Sequence, residues 1–132
     1  VDGEGAKKFL TINVINAKSL GSAKKIAFSI ANSPLVKTAV AGEDPNWGRI
    51  AMGLGKSGEP VDVKKLKIKI GEYIVAENGK VSDNYDEKKL KEYMEWDAIE
   101  IEVNLKLGND AFKCYTCDFT HDYIDINADY RN

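Results

Sequence analysis

The chain predicts an α+β fold, a mixed sheet with flanking helices, on three observations. Segments of alternating apolar residues are interleaved with segments of helical periodicity in the order β-α-β-α-β-β-α-β-β-α. Some consecutive strands are separated only by turn residues, which favours antiparallel hairpins, whereas the first strands are joined across helices, which brings crossovers. A length of 132 residues suits one compact domain, or one domain with a short flanking piece of another.

In chain order, Lys8 to Asn16 alternates, with Leu10, Ile12 and Val14 on one side and Phe9, Thr11 and Ile15 on the other, as a strand does. Ser22 is placed to cap a helix over Ala23 to Ala31, with Ile26, Ala27 and Ile30 as its apolar stripe and Ser33-Pro34 as its stop. Leu35 to Ala41 reads as a buried strand. Asp44 before Pro45 predicts a helix start, because a carboxylate accepts the free N–H groups of a first turn and proline loses nothing there. That helix runs to about Lys56, with Ile50, Ala51 and Leu54 on one face. After a polar connection, Leu66 to Ile70 and Tyr73 to Ala76 form a hairpin about Gly71-Glu72 whose lysines face water, and Glu77-Asn78-Gly79-Lys80 is a second turn. Ser82 or Asp83 starts a helix over Tyr85 to Glu95 that turns Leu90, Tyr93 and Met94 to the core. Ile99 to Leu105 is a strand covered on one face, returned through Gly108-Asn109-Asp110 into Ala111 to Cys117 as a second hairpin. Thr120 or Asp118 caps a last short helix through Ile126, and Asn127 to Asn132 is a tail.

Composition excludes several functional classes. Charged residues make up 30% of the chain and the net charge is −2, with lysines interspersed among acids rather than gathered in a basic stripe, so no nucleic-acid partner is expected. No apolar run approaches the roughly 20 residues that span a bilayer, and no charged-then-apolar leader opens the chain, so no membrane partner is expected. Two cysteines give no disulfide framework, and a cytoplasmic, reduced setting follows.

The densest stretch is Gly42-Glu43-Asp44-Pro45-Asn46-Trp47-Gly48-Arg49-Ile50. Arg49 is one of two arginines, with Arg131, in a chain whose other basic residues are lysines. Its planar fork suits a bidentate partner, and a structural Arg–carboxylate pair is the plainer expectation for it. Three further blocks stand out in order: Asp2-Gly3-Glu4-Gly5-Ala6, then Ala31-Asn32-Ser33-Pro34-Leu35-Val36-Lys37-Thr38-Ala39, then Cys117-Asp118-Phe119-Thr120-His121-Asp122-Tyr123 running into Ile126-Asn127-Ala128-Asp129-Tyr130-Arg131. Together the four blocks resemble the ornithine acetyltransferase family, the bifunctional glutamate N-acetyltransferases of arginine biosynthesis, and the resemblance runs from end to end of the chain.

The resemblance implies an autocatalytically cleaved enzyme of α and β chains whose nucleophile is the threonine heading the β chain. That threonine lies upstream of Val1, so the chain resembles the C-terminal part of the β chain, and Val1 in place of an initiator methionine fits a fragment or processed product. The implied architecture is the C-terminal portion of an αββα sandwich, with residues 1–41 ending the catalytic core layer and residues 42–132 forming a small C-terminal α+β domain. The implied chemistry moves an acetyl group from N2-acetylornithine to glutamate through an acetyl-threonine intermediate. Some members of the family also accept acetyl-CoA as a substrate, and no cofactor is required.

No catalytic residue is expected in this chain, which is expected to be inactive alone. Three residues match or occupy substrate-binding positions: Glu4, held between glycines that let backbone approach a ligand and facing the substrate's amino group; Asn127; and Asn132, which stands where the family ends in threonine or serine. Lys7 also departs from the family's usual threonine and carries no assigned role. The expected partners are the upstream part of the same enzyme, in a hetero-oligomer of α and β chains, and the small-molecule substrates. The alternative is a non-catalytic module for assembly or pocket closure.

Other residues invite chemistry and are read more plainly. Cys114-Tyr115-Thr116-Cys117 is a CxxC followed by the sole histidine, His121, but residues three apart on a strand point to opposite faces, and no second pair completes a tetrahedral site. No metal is therefore expected. His121 lacks a nucleophile motif to serve as base and is assigned to capping or tail packing. Trp47 and Trp96 are core or interface anchors.

Overall fold

Leu10, Ile12 and Val14 are fully buried while Phe9 is 54% exposed, so the alternation read in the sequence sets one covered and one open face. The computed structural model describes residues 8–82 and 84–118. Among the described residues, six strands form one mixed sheet in the order β4-β3-β2-β5-β1-β6. They are β1 (Lys8–Ala17), β2 (Lys67–Ile70), β3 (Tyr73–Glu77), β4 (Lys80–Val81), β5 (Ala98–Asn104) and β6 (Asp110–Asp118). Strand β1 pairs parallel with β5 and antiparallel with β6, and the remaining pairs are antiparallel.

Among the described residues, four α-helices accompany the sheet: α1 (Leu20–Ala31), α2 (Pro34–Ala41), α3 (Trp47–Gly55) and α4 (Glu87–Met94). Their apolar residues, among them Ile26, Ile30, Val36, Ile50, Leu54, Leu90 and Met94, join Leu10, Ile12, Ile68, Ile70, Ile99 and Ile101 in one buried cluster. The opposite face of the sheet carries Phe9, Thr11 and Asn13 of β1 beside Glu100 and Glu102 of β5 and Tyr115 and Lys113 of β6. The division expected between residues 41 and 42 falls at Gly42, the C-cap of α2, and β1 on one side of it pairs with β5 and β6 on the other.

The α+β class holds, and two elements differ from expectation. Leu35 to Ala41 is not a strand: Pro34–Ala41 is helical, with Pro34 in the first turn and the Ser33 side chain accepting from Val36 N–H at 3.3 Å. A proline that stops α1 also starts α2, since its fixed φ and missing N–H cost nothing in a first turn. Nor do β5 and β6 form a hairpin; β1 lies between them, and the connection is tied to the end of β1 by Leu107 N–H and Gly108 N–H, both donating to Asn16 O.

Three caps also move. Ser19 rather than Ser22 caps α1, Asn46 rather than Asp44 caps α3, and Asp86 caps α4. In each case a side chain two to four residues from the expected one accepts from the N3 amide. The β2–β3 hairpin about Gly71 and the turn into β4 stand as read. Asp118 ends β6, and the last expected helix, through Ile126, lies outside the described residues.

Candidate functional site

Glu4, Asn127 and Asn132 all lie outside the described residues, as do Lys7, His121 and Arg131. Lys8, the first residue of β1, is in register with Asp118, the last of β6. Residues 8 and 118 thus lie on adjacent strands at the same end of the sheet. Strand β5 begins there as well, with Phe9 N–H donating to Asp97 O at 2.6 Å.

That end is held by a side chain the sequence reading passed over. Lys8 is only 6% exposed, yet its ammonium donates to Met94 O and Trp96 O at 2.8 Å each and to Glu43 Oε2 at 3.2 Å. Its three N–H donors thus meet three acceptors, the condition on which a buried charge is tolerable. The two carbonyls lie at the C-terminal end of α4, where the helix dipole favours a cation. Glu43 holds its carboxylate to Lys8 from a backbone in the left-handed region, φ 57°, uncommon for a residue with a Cβ. An alternating strand that opens with a lysine on its apolar side was the available signal, because such a residue must either snorkel or find partners.

The block from Gly42 to Ile50 connects this clamp to the helices. Gly42 caps α2, Asp44 N–H donates to Ala39 O at 2.8 Å, and Asn46 opens α3 by accepting from Arg49 N–H at 3.2 Å. Arg49 does not form the expected carboxylate pair among the described residues: its guanidinium donates to Leu35 O at 3.2 Å, bracing α3 against the first turn of α2. Trp47 packs on the core cluster from a half-buried position, whereas Trp96 is 61% exposed. The second and third sequence blocks are thereby packed together, and Lys8 joins the third to the strand that follows the first.

Two open grooves lie along α4. One, about 390 Å³, runs between Glu43, Asp44 and Pro45 on one side and Lys91 and Glu95 on the other, beside the clamp. The second, about 400 Å³, is walled by Tyr73, Tyr93 and Trp96 with Glu72, Lys89 and Glu92. Tyr93 and Trp96 stand 5.2 Å apart at a tilted angle, and Tyr93 accepts from Glu100 N–H at 2.8 Å. Burial pushes the Tyr93 hydroxyl up from its ordinary value.

Cys114 and Cys117 are both outside any disulfide, and on β6 only Cys114 is fully buried, as opposite faces require. Among the described residues no group of three or more His, Cys, Asp or Glu side chains is placed to hold a metal ion. No helix among them is long and apolar enough to cross a membrane.

Comparison with known proteins agrees with this arrangement. The ArgJ family profile matches residues 1–132. The arginine biosynthesis bifunctional protein ArgJ of Gluconobacter oxydans is 53% identical over 131 residues, 99% of this chain and 31% of the relative. The protein of the same name from Brucella melitensis is also 53% identical, over 99% of this chain and 32% of its own length. The chain therefore spans about a third of these curated relatives. A crystal structure of the Bacillus halodurans arginine biosynthesis bifunctional protein ArgJ superposes with a TM-score of 0.82 at 38% identity, covering 92% of this chain and 57% of that one. With a profile match along its whole length, the chain belongs to the ArgJ family.

Proposed function

We propose that this chain is the C-terminal part of an N-acetyltransferase that moves an acetyl group from N2-acetylornithine to glutamate, with Glu4, Asn127 and Asn132 lining the amino-acid pocket. The observation that carries the reading is the ArgJ family match over residues 1–132, supported by relatives named arginine biosynthesis bifunctional protein ArgJ that are 53% identical. The upstream nucleophile is a threonine at the head of the β chain. Its hydroxyl oxygen attacks the acetyl carbonyl, the C–N bond breaks, and ornithine leaves with the proton; glutamate's amine then attacks the ester and the threonine oxygen leaves, recovering a proton. Such covalent exchange suits two similar amines sharing one site, and donors in the upstream part would stabilise the tetrahedral intermediates.

Glu4 would bind the substrate's amino group by charge-assisted hydrogen bonds. Asn127 would donate and accept at the substrate's polar groups, and Asn132 would do so in place of a hydroxyl. No cofactor enters these steps, and acetyl-CoA is an alternative acetyl donor. Two thiols free of disulfides suit a cytoplasmic enzyme.

The remainder of the enzyme, the α chain and the start of the β chain, would cover the open sheet face. There Phe9 and Tyr115 are 54% and 41% exposed, apolar surface that a partner chain would cover. The same face supports the second reading, in which the chain serves assembly and pocket closure without contacting substrate. Intact mass spectrometry of the assembled enzyme with N2-acetylornithine separates the two in combination with ligand binding. An acetyl adduct on an upstream threonine that glutamate removes, with ornithine derivatives protecting Glu4 and Asn127 from hydrogen exchange, is expected. An assembled enzyme that forms no adduct contradicts the transferase reading.

A further inference from the structure

We propose that the groove between β3 and α4 is a binding site for a small organic cation, a guanidinium or alkylammonium group seated against the rings of Tyr73, Tyr93 and Trp96 and paired with the carboxylates of Glu72 and Glu92. The site uses none of the residues proposed for the substrate pocket, and the inference does not rest on the acetyl-transfer reading.

Trp96 is the first observation. Its side chain is 61% exposed, yet its backbone is fixed on both sides: its N–H donates to Tyr93 O at 3.0 Å and its carbonyl accepts from the buried Lys8 ammonium at 2.8 Å. Tyr93 is held as firmly. Its hydroxyl accepts from Glu100 N–H at 2.8 Å, and its ring lies so close to Gly71 that a Cβ there would stand 2.8 Å away. The Tyr93 and Trp96 rings meet at 51° across 5.2 Å, and those of Tyr73 and Tyr93 at 60° across 6.4 Å. Rings tilted in this way do not cover one another's faces. The groove they wall, about 400 Å³, has the size of a small-molecule site. Because Tyr93 and the Trp96 backbone are already fixed, little ordering is left to oppose binding.

Charge selects the ligand. The face of an aromatic ring carries the negative end of its quadrupole and attracts cations. Glu72 and Glu92 line the same groove against a single lysine, Lys89, and neither carboxylate enters an ion pair among the described residues. The Tyr73 hydroxyl registers this field: burial, then the charges of Glu72, Asp86 and Glu92, push it up from its ordinary value. An anion would meet repulsion from both rings and acids. A guanidinium can stack its plane on a ring while its N–H groups reach a carboxylate, and an alkylammonium meets the same partners as a point charge.

The test is calorimetric titration of the assembled enzyme with butylguanidinium, and with butylurea as its uncharged counterpart. Neither probe carries the α-amino-acid group that the substrate pocket would read. Butylguanidinium is expected to bind at least tenfold more tightly than butylurea, a factor equal to about 1.4 kcal/mol. Trp96→Leu keeps an apolar side chain but removes the ring face, and is expected to weaken binding about tenfold. Glu92→Gln is expected to weaken it about threefold. Both side chains are exposed, so the thermal midpoint is expected to stay in place. Glu4→Gln is expected to bind as wild type does. Equal affinity for the two probes, wild-type affinity in Trp96→Leu, or no binding of butylguanidinium up to about 10 mM overturns the proposal. Binding lost in Glu4→Gln but kept in Trp96→Leu assigns the cation to the substrate pocket and overturns it as well.

Discussion

Cys114 shows how far a single residue's chemistry follows from its place on a strand. Its Sγ lies 3.7 Å from Ala27 O, and burial between β6 and α1 pushes the thiol up to about 12. Because the neutral form is the one favoured, the reactive thiolate is scarce at every pH below that value. Alkylation at pH 8, mapped by peptide mass, is expected to leave Cys114 unmodified in the native protein and to label it once the chain is unfolded; native labelling at the rate of a free cysteine contradicts its burial. The split of the CxxC between two faces was legible from strand alternation. The partner of Arg49 was not: charge predicts a carboxylate, and among the described residues the guanidinium donates to the Leu35 carbonyl, a backbone group that no composition rule marks. Lys8 was legible in principle, as a lysine opening an alternating strand on its apolar side, but its acceptors come from residues 43, 94 and 96 and are created only by folding.

Among the elements, those with local signals were read well. The β2–β3 hairpin follows from its alternation and from Gly71, whose φ of +61° falls in the left-handed region. A Cβ at Gly71 would stand 2.8 Å from the Tyr93 ring, which is itself held by Glu100 N–H. Gly71→Ala is therefore expected to destabilise the protein by about 1–3 kcal/mol, seen as a lower urea midpoint at unchanged slope; an unmoved midpoint contradicts that packing. The elements misread had two valid local readings. Val36, Thr38 and Val40 alternate as a strand does, while Val36, Ala39 and Val40 have helical spacing, and the buried set is the helical one. Ser33-Pro34 serves both as the end of α1 and as the start of α2. The β5–β6 hairpin failed for a different reason, since the strand lying between them comes from residues 8–17 and nothing local to residues 98–118 announces it.

For the whole molecule, the mixed α+β class was legible because it depends on the number and kind of segments, whereas the strand order depends on which distant pairs bury most surface. The candidate site was legible only through resemblance: Glu4 and Asn127 carry no local signature that separates them from solvated polar residues. The proposed grouping joins the segment bearing Glu4 to the segment bearing Asn127, and the family match along the chain supports it. The exposed aromatic residues on the opposite sheet face fit a chain spanning about a third of its relatives. The central claim is that the two segments build one pocket, and the direct measurement is a double-mutant cycle on kcat/KM for glutamate in the assembled enzyme, using Glu4→Gln, Asn127→Ala and the pair. Each single variant is expected to lose about 10- to 100-fold, and the pair distinctly less than the product of the two losses, as groups that hold one ligand together do. Wild-type kcat/KM in both single variants, or losses that multiply without coupling, would contradict a shared pocket.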